Sequence, residues 1–230
     1  MLEVNNLTVE YADGTRAVDA VSFAIGAGEN VALIGANGAG KTSLLLALVG
    51  ILPPAGGEVR AGGVPLCKKN LRRIRSEIGL VFQNPDDQLF MPNIFEDAAF
   101  GPRSYGCGEA ETSERVNSTL SALGIAHLAK RSPLKLSSGE KRLAAIATVL
   151  TMNPDFLLLD EPTAFLDPRA RRGLASTLTG LPQGKLIATH DLVFVQNLCG
   201  RVLLLQGGRL AADGGVELLA DRAALEAAGL

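Results

Sequence analysis

Residues 30–49 read NVALIGANGAGKTSLLLALV. A short unbroken apolar run, Asn30 to Ile34, enters a glycine-rich turn and leaves it as a second apolar run, Lys41 to Val49. The first has the length and composition of a strand buried on both faces, the second those of a helix. Between them, Gly35-Ala36-Asn37-Gly38-Ala39-Gly40-Lys41-Thr42 fits the pattern G-x-x-x-x-G-K-[ST]. It stands between strand and helix, as that pattern requires. Gly35, Gly38 and Gly40 leave room for successive backbone N–H groups, that of Asn37 among them, to converge on phosphate oxygens. The helix start at Lys41, Thr42 and Ser43 adds a favourable dipole. Lys41 brings a cation to the β and γ phosphates, and the Thr42 hydroxyl completes a Mg²⁺ shell. The bland alternative, a glycine-rich turn with an incidental lysine, leaves the flanking strand and helix to coincidence.

Outward from this loop, strand-like runs occur at Leu7 to Tyr11 and Val18 to Ile25, then at Ile78 to Phe82, Phe156 to Leu159 and Leu186 to Thr189. Helical stretches separate the later ones, which implies a parallel sheet covered on both faces. Gly56-Gly57 and Gly62-Gly63 punctuate a hairpin, and Arg201 to Leu210 reads as strand, turn and strand before a short helix. Residues 84–150 are helical and polar-patterned. The organisation is therefore one domain over 1–230, with an α/β core from 1–83 and 151–230 and an inserted helical subdomain at 84–150.

Two strand ends carry chemistry. The run Phe156-Leu157-Leu158-Leu159 closes on Asp160-Glu161, two acids at the carboxyl end of a buried strand, where ligands of open α/β sheets sit. Asp160 suits Mg²⁺, held through water; Glu161 is placed to act as general base on a water in line with the γ phosphate. Leu186 to Thr189 ends on His190, a candidate sensor of that phosphate. The other histidine, His127, lies in a polar helix-loop region and reads as surface.

The formal net charge of −2 leaves no basic excess for phosphate neutralisation, so nucleic acid is not an expected partner. Lys68, Lys69, Arg72, Arg73 and Arg75 read as a solvated helix face. Cys67, Cys107 and Cys199 are scattered, form no metal or disulfide framework, and suit a reducing compartment. The start MLEVNNLTVEY alternates like a strand and lacks the basic and apolar regions of a signal peptide. The longest apolar run is too short to cross a bilayer, so any link with a membrane goes through a partner.

Leu136-Ser137-Ser138-Gly139-Glu140 precedes a helix at Lys141 to Thr151. Alone it is a serine-capped helix start. With the glycine loop, Gln83, the double-acid strand, Asp167 and His190 in that order, it resembles the signature of ATP-binding-cassette ATPases. The likeness extends over nearly the whole chain. It implies an α/β fold: a phosphate-loop (RecA-like) core with a parallel sheet, an N-terminal antiparallel β subdomain and an inserted helical subdomain. It also implies ATP as substrate with Mg²⁺. By resemblance, Tyr11 stacks on adenine, with an ordinary strand aromatic as the alternative. Gln83 reaches Mg²⁺ and the attacking water, and Asp167 crosses to a partner subunit. Ser137 and Gly139 grip the γ phosphate of a nucleotide held by the other subunit. The chain departs from the usual pattern at Ser138, where a second glycine is commonest, at Glu140, often glutamine, and at Phe165, usually a small residue. Head-to-tail pairing of two copies closes two sites at once; a paralogous partner is the alternative to a homodimer.

Gln83 runs directly into Asn84-Pro85-Asp86-Asp87-Gln88-Leu89-Phe90-Met91. Two readings stand. Asp86 and Asp87 are solvated acids in a first helical turn, or they pair with arginines of a membrane partner's helix while Gln88, Leu89, Phe90 and Met91 complete the docking wall. With Glu96-Asp97-Ala98-Ala99-Phe100-Gly101-Pro102 following, the stretch is similar to the ATPases of energy-coupling-factor importers, the Tyr11-to-Thr15 start to their cobalt and nickel members. The resemblance implies an integral membrane coupling subunit, a substrate-binding membrane subunit, and a place on the cytoplasmic face of the membrane. The competing reading is a soluble ATP-gated scaffold resembling the cassette ATPases of iron–sulfur assembly.

Overall fold

The computed structural model describes residues 1–229. In chain order its elements are β1 (Leu2–Glu10), β2 (Arg16–Ile25), β3 (Asn30–Ile34), α1 (Lys41–Leu48), β4 (Gly56–Ala61), β5 (Val64–Pro65), α2 (Leu71–Glu77) and β6 (Ile78–Val81). Three helices follow, α3 (Ile94–Ser104), α4 (Glu109–Ala122) and α5 (Ser138–Leu150). The chain then returns through β7 (Phe156–Asp160), α6 (Pro168–Thr179), β8 (Gly184–Ala188), α7 (Leu192–Leu198), β9 (Arg201–Gln206), β10 (Arg209–Gly215) and α8 (Arg222–Ala227).

The strands form two sheets. β2-β1-β4-β5 is antiparallel, and β10-β9-β3-β8-β7-β6 is parallel except for the edge strand β10. Alternation along the central strands explains their unbroken apolar sequences. Val31 and Leu33 of β3 pack with Leu158, Leu186 and α1 beneath the first sheet, whereas Ala32 and Ile34 pack with Leu157, Leu159 and the helices opposite. Each central strand has two buried faces, and both are mostly apolar. An exception is Lys185 of β8, whose buried ammonium donates to Asn30 Oδ1 (3.1 Å) and to the carbonyls of Leu181 and Gln183 (2.8 Å each). The two sheets are tied by Arg201, whose guanidinium donates to the Ala24 carbonyl (2.9 Å), to Glu29 (3.1 Å) and through two 2.7 Å bonds to Asp213.

Three boundaries differ from the sequence reading. β1 begins at Leu2 rather than Leu7 and continues through a bulge in which Asn6 adopts a left-handed conformation (φ 48°). Tyr11 lies outside the strand, in a turn closed by Gly14 N donating to the Tyr11 carbonyl (2.9 Å). Asn84-Pro85-Asp86-Asp87 forms one 3₁₀ turn, with the Asn84 side chain accepting from Asp86 N, and a separate helix starts only at Ile94. The basic run does lie on a solvated face: Ile74 is buried while Arg72, Arg73 and Arg75 are exposed.

Candidate active site

β3 and α1 deliver the glycine loop to one end of the parallel sheet. A Cβ at Gly40 (φ 104°) would collide with the Ala17 carbonyl, and one at Gly35 with the Leu205 carbonyl. The loop is thus wedged against both sheets as well as being open to phosphate. The β9–β10 turn holds it from behind, Gly208 N donating to the Ala39 carbonyl (3.1 Å) and Asp19 N to the Gly208 carbonyl (2.8 Å).

The loop borders a cavity of about 670 Å³ whose walls include Tyr11, Asn37, Gly38, Gly40, Lys41, Thr42, Ser43, Gln83, Asp160, Glu161 and His190. Sequence-expected residues separated by up to 179 positions therefore meet at one place. Tyr11 stands at the mouth, 41% exposed, its hydroxyl 2.8 Å from that of Ser43; this bond fixes the ring angle. Gly35 lies at the base of the loop, outside the cavity wall.

Lys41 is buried, and its Nζ donates to the carbonyls of Gly35 (2.7 Å) and Ala36 (3.0 Å). Burial pulls its pKa below the ordinary lysine range, against the opposing carboxylates of Glu161 and Asp160. An incoming phosphate offers this ammonium anionic partners in place of two neutral carbonyls.

Asp160 is the last residue of β7 and is buried. Thr42 donates to its Oδ2 at 2.8 Å, and its Oδ1 is buried without a hydrogen-bond partner. Burial holds its pKa above the usual carboxylate value, with Thr42 opposing. A hydroxyl, a carboxylate and one unsatisfied carboxylate oxygen are hard donors that fit Mg²⁺. No cluster of three His, Cys, Asp or Glu side chains suited to a metal exists among the described residues, so phosphate and water would supply most of the shell.

Glu161 follows at φ 41°, a strained conformation for a non-glycine residue and one that recurs at functional sites. Its Oε2 accepts from Thr189 Oγ1 (3.1 Å) and lies 3.0 Å from His190 Nδ1, while Lys41 Nζ stands 4.0 Å from Oε1. Backbone and side chain are both pinned, since Glu161 N donates to the Ala188 carbonyl at 2.8 Å. His190 is otherwise exposed; His127 is exposed on the helical subdomain.

The signature segment faces elsewhere. Leu136, Ser138, Lys141 and Phe165 border a second hollow, and no residue of 136–140 lines the phosphate cavity. Ser137 caps α5 and Asp167 caps α6, the latter accepting from Arg169 N and Ala170 N at 2.8 Å each. Those two bonds, with smaller contributions from nearby arginines, lower the Asp167 pKa.

Around the segment carrying Gln83, the glutamine loop, the structure corrects the sequence reading, which puts Gln88 and Leu89 on an outward docking wall. Leu89 is only 6% exposed and belongs to the core. Gln88 turns inward, its amide accepting from Phe82 N (3.1 Å) and donating to the Ala145 carbonyl (2.9 Å) and Thr148 (2.8 Å). Asp86 is held by Lys141 at 2.6 Å. Asp87 and Phe90 stay exposed, Phe90 lying edge-on to Phe100 with ring centroids 5.1 Å apart.

One residue of this site escapes sequence inspection. Arg142, 1% exposed, donates to the carbonyls of Phe82 (2.8 Å) and Gln83 (2.7 Å), linking α5 to the glutamine loop. Burial lowers its pKa to about 10. The available signal is a cation at the start of the apolar run Leu143 to Leu150.

Residues 18–164 match the family described as ABC transporter. The energy-coupling factor transporter ATP-binding protein EcfA of Carboxydothermus hydrogenoformans is 43% identical over 100% of this chain and 86% of its own. The structure of cbiO1 from Clostridium perfringens, described as part of the ABC transporter complex cbiONQ, superposes with a TM-score of 0.87 at 36% identity, covering 97% of this chain and 91% of that one. The dimeric, post-hydrolysis ATP-binding cassette MJ0796 bound to ADP and Pi does so at 0.83 and 25% identity, covering 94% and 99%. A glycine loop, a pinned acid pair and a capped signature helix, carried on a fold shared over nearly the full length with these proteins, place this chain in the ABC transporter ATPase family.

Proposed function

We propose that the chain is the ATP-hydrolysing subunit of an energy-coupling-factor importer for a trace metal ion or vitamin, with cobalt the leading substrate. The observation that carries the hydrolytic half is the Glu161 carboxylate, held between Thr189 and His190 beside Lys41 and Asp160. Tyr11 supports the adenine, the loop amides and Lys41 take the phosphates, and Gln83 positions the attacking water. Glu161 accepts that water's proton as it attacks the γ phosphorus, and His190 holds the departing phosphate. Mg²⁺ would be held by Thr42 and Asp160 and would supply charge neutralisation to the phosphates.

The cavity receives nothing from Ser137 or Gly139, which supports a site completed by the signature of a second copy, with Asp167 at the crossing. Closure on ATP and release after hydrolysis then form the working stroke. For the membrane partner, an apolar groove of about 290 Å³ runs between core and helical subdomain, lined by Ile51, Leu80, Phe82, Val149 and Met152 with Arg75 at its edge. Asp87 borders a separate hollow that shares Phe82 with this groove. An amphipathic helix with apolar anchors fits such a groove. No helix among the described residues is long and apolar enough to cross a membrane, so transport requires integral subunits, with this chain on the cytoplasmic side.

Glu161→Gln tests the hydrolytic half: steady-state hydrolysis falls by about 10²–10⁴ while Mg-ATP binding persists. Unchanged turnover would remove Glu161 as base. For the transport half, co-expression with the integral subunits gives a detergent-stable complex that Phe90→Asp with Ile51→Asp disrupts without loss of soluble ATP hydrolysis; an unaffected complex would argue against the groove.

A further inference from the structure

Ser137 is a half-engaged residue. It is exposed, yet its hydroxyl proton is directed into its own helix: Glu140 Oε2 accepts from both Ser137 N and Ser137 Oγ, each at 2.8 Å. In return Ser137 Oγ accepts a long 3.4 Å bond from Glu140 N. What the hydroxyl turns outward is a lone pair, the wrong polarity for a phosphate oxygen. We propose that Glu140 is a positioning residue that holds the Ser137 hydroxyl away from phosphate and so sets the ATP concentration at which two copies close. The inference rests on the reading of Ser137 as a group acting on the second copy's nucleotide.

Two costs follow from the carboxylate. To donate to a γ phosphate oxygen, the hydroxyl must leave a charge-assisted bond, about twice as strong as its neutral counterpart. The carboxylate must then remain close to an incoming polyanion, because Ser137 N still binds it. Partial compensation comes from Arg131 and His127, the charged and titratable groups whose fields reach Glu140 from the segment before the signature. Lys141, next in sequence, is committed to Asp86. A glutamine at 140 keeps an oxygen for Ser137 N, and with it the capping box, while removing the charge and weakening the hold on the hydroxyl. Charge and cap are thereby separable in one helix turn.

The experiment compares Glu161→Gln with Glu161→Gln/Glu140→Gln and Glu161→Gln/Glu140→Ala, titrating each with Mg-ATP and reading the dimer fraction by light scattering. The expected result is a half-closure concentration about tenfold lower in the Glu140→Gln protein, equivalent to about 1.4 kcal/mol, with a slightly lower thermal midpoint because the two charge-assisted bonds from Ser137 become neutral ones. Glu140→Ala also closes more readily than the parent but melts earlier, having lost the cap. The advantage of glutamine shrinks as salt rises from 0.05 to about 0.5 M, as a charge effect must. An unchanged or higher half-closure concentration in Glu140→Gln overturns the inference while leaving closure itself intact. If the parent Glu161→Gln protein never pairs, the action of Ser137 on a second copy fails and takes this inference with it.

Discussion

Replacing Arg142 by methionine separates the arginine's structural weight from its part in the reaction. The guanidinium is 1% exposed and satisfies the carbonyls of Phe82 and Gln83. Losing it leaves two part-buried acceptors for water to re-satisfy, at up to about 1–3 kcal/mol each. Against this stands the cost of burying the cation. A pKa lowered from 12.5 to about 10 corresponds to about 3 kcal/mol at neutral pH. The sign follows from linkage: the folded state disfavours the charged form, so the cost is present at neutral pH and is relieved only as pH rises through about 10. Methionine removes that cost and roughly fills the volume. The two sides nearly cancel, leaving a net change between about −1 and +3 kcal/mol of destabilisation. Gln83, however, loses the anchor on its own carbonyl, and a displacement of about 1 Å at a water-positioning group lowers turnover by about a hundredfold. Urea denaturation and steady-state hydrolysis on the same preparation check both halves. A loss above about 5 kcal/mol with turnover intact would refute the reasoning and make Arg142 a purely structural strut.

Two further outcomes follow from the site's electrostatics and backbone. Asp160→Asn raises the thermal midpoint of the nucleotide-free protein at pH 7, because burial holds the native carboxyl above its usual pKa. Its stabilising contribution is complete below the unfolded value and is lost as pH rises through the folded one. The same variant loses the Mg²⁺-dependent part of its nucleotide-induced thermal shift, and a lower midpoint would contradict the assignment of desolvation as the cause. Phe165→Gly stabilises the fold by about 1 kcal/mol in urea titrations, since Phe165 is 81% exposed and sits at φ 62°, where glycine has no steric cost; destabilisation would show that the ring makes contacts worth more than the strain.

Much of this architecture was legible because its signals are local. The glycine loop, the acid pair and the capping serine each lie at an element boundary and are read from a few adjacent residues. Unbroken runs such as Phe156 to Leu159 announced strands buried on both faces. What stayed hidden depends on distant backbone. Arg142 looks like an ordinary helix residue until the carbonyls of Phe82 and Gln83, about sixty positions earlier, are set beside it. Gln88 and Leu89 share a polar-apolar stretch with Phe90, and sequence has no means of telling which side chains turn inward; Ala145 and Thr148 decide it for Gln88. The start MLEVNNLTVEY alternates like a strand, but Asn5-Asn6 interrupts the period-two pattern, and only the bulge explains how β1 continues through it.

The central claim is that a single copy supplies only part of each hydrolytic site. Small-angle scattering of the Glu161→Gln protein, with and without saturating Mg-ATP, addresses it directly. The account predicts a doubling of particle mass with nucleotide, reversed on its removal and abolished by Ser137→Arg. Particles that stay at the mass of one chain under saturating Mg-ATP would contradict it.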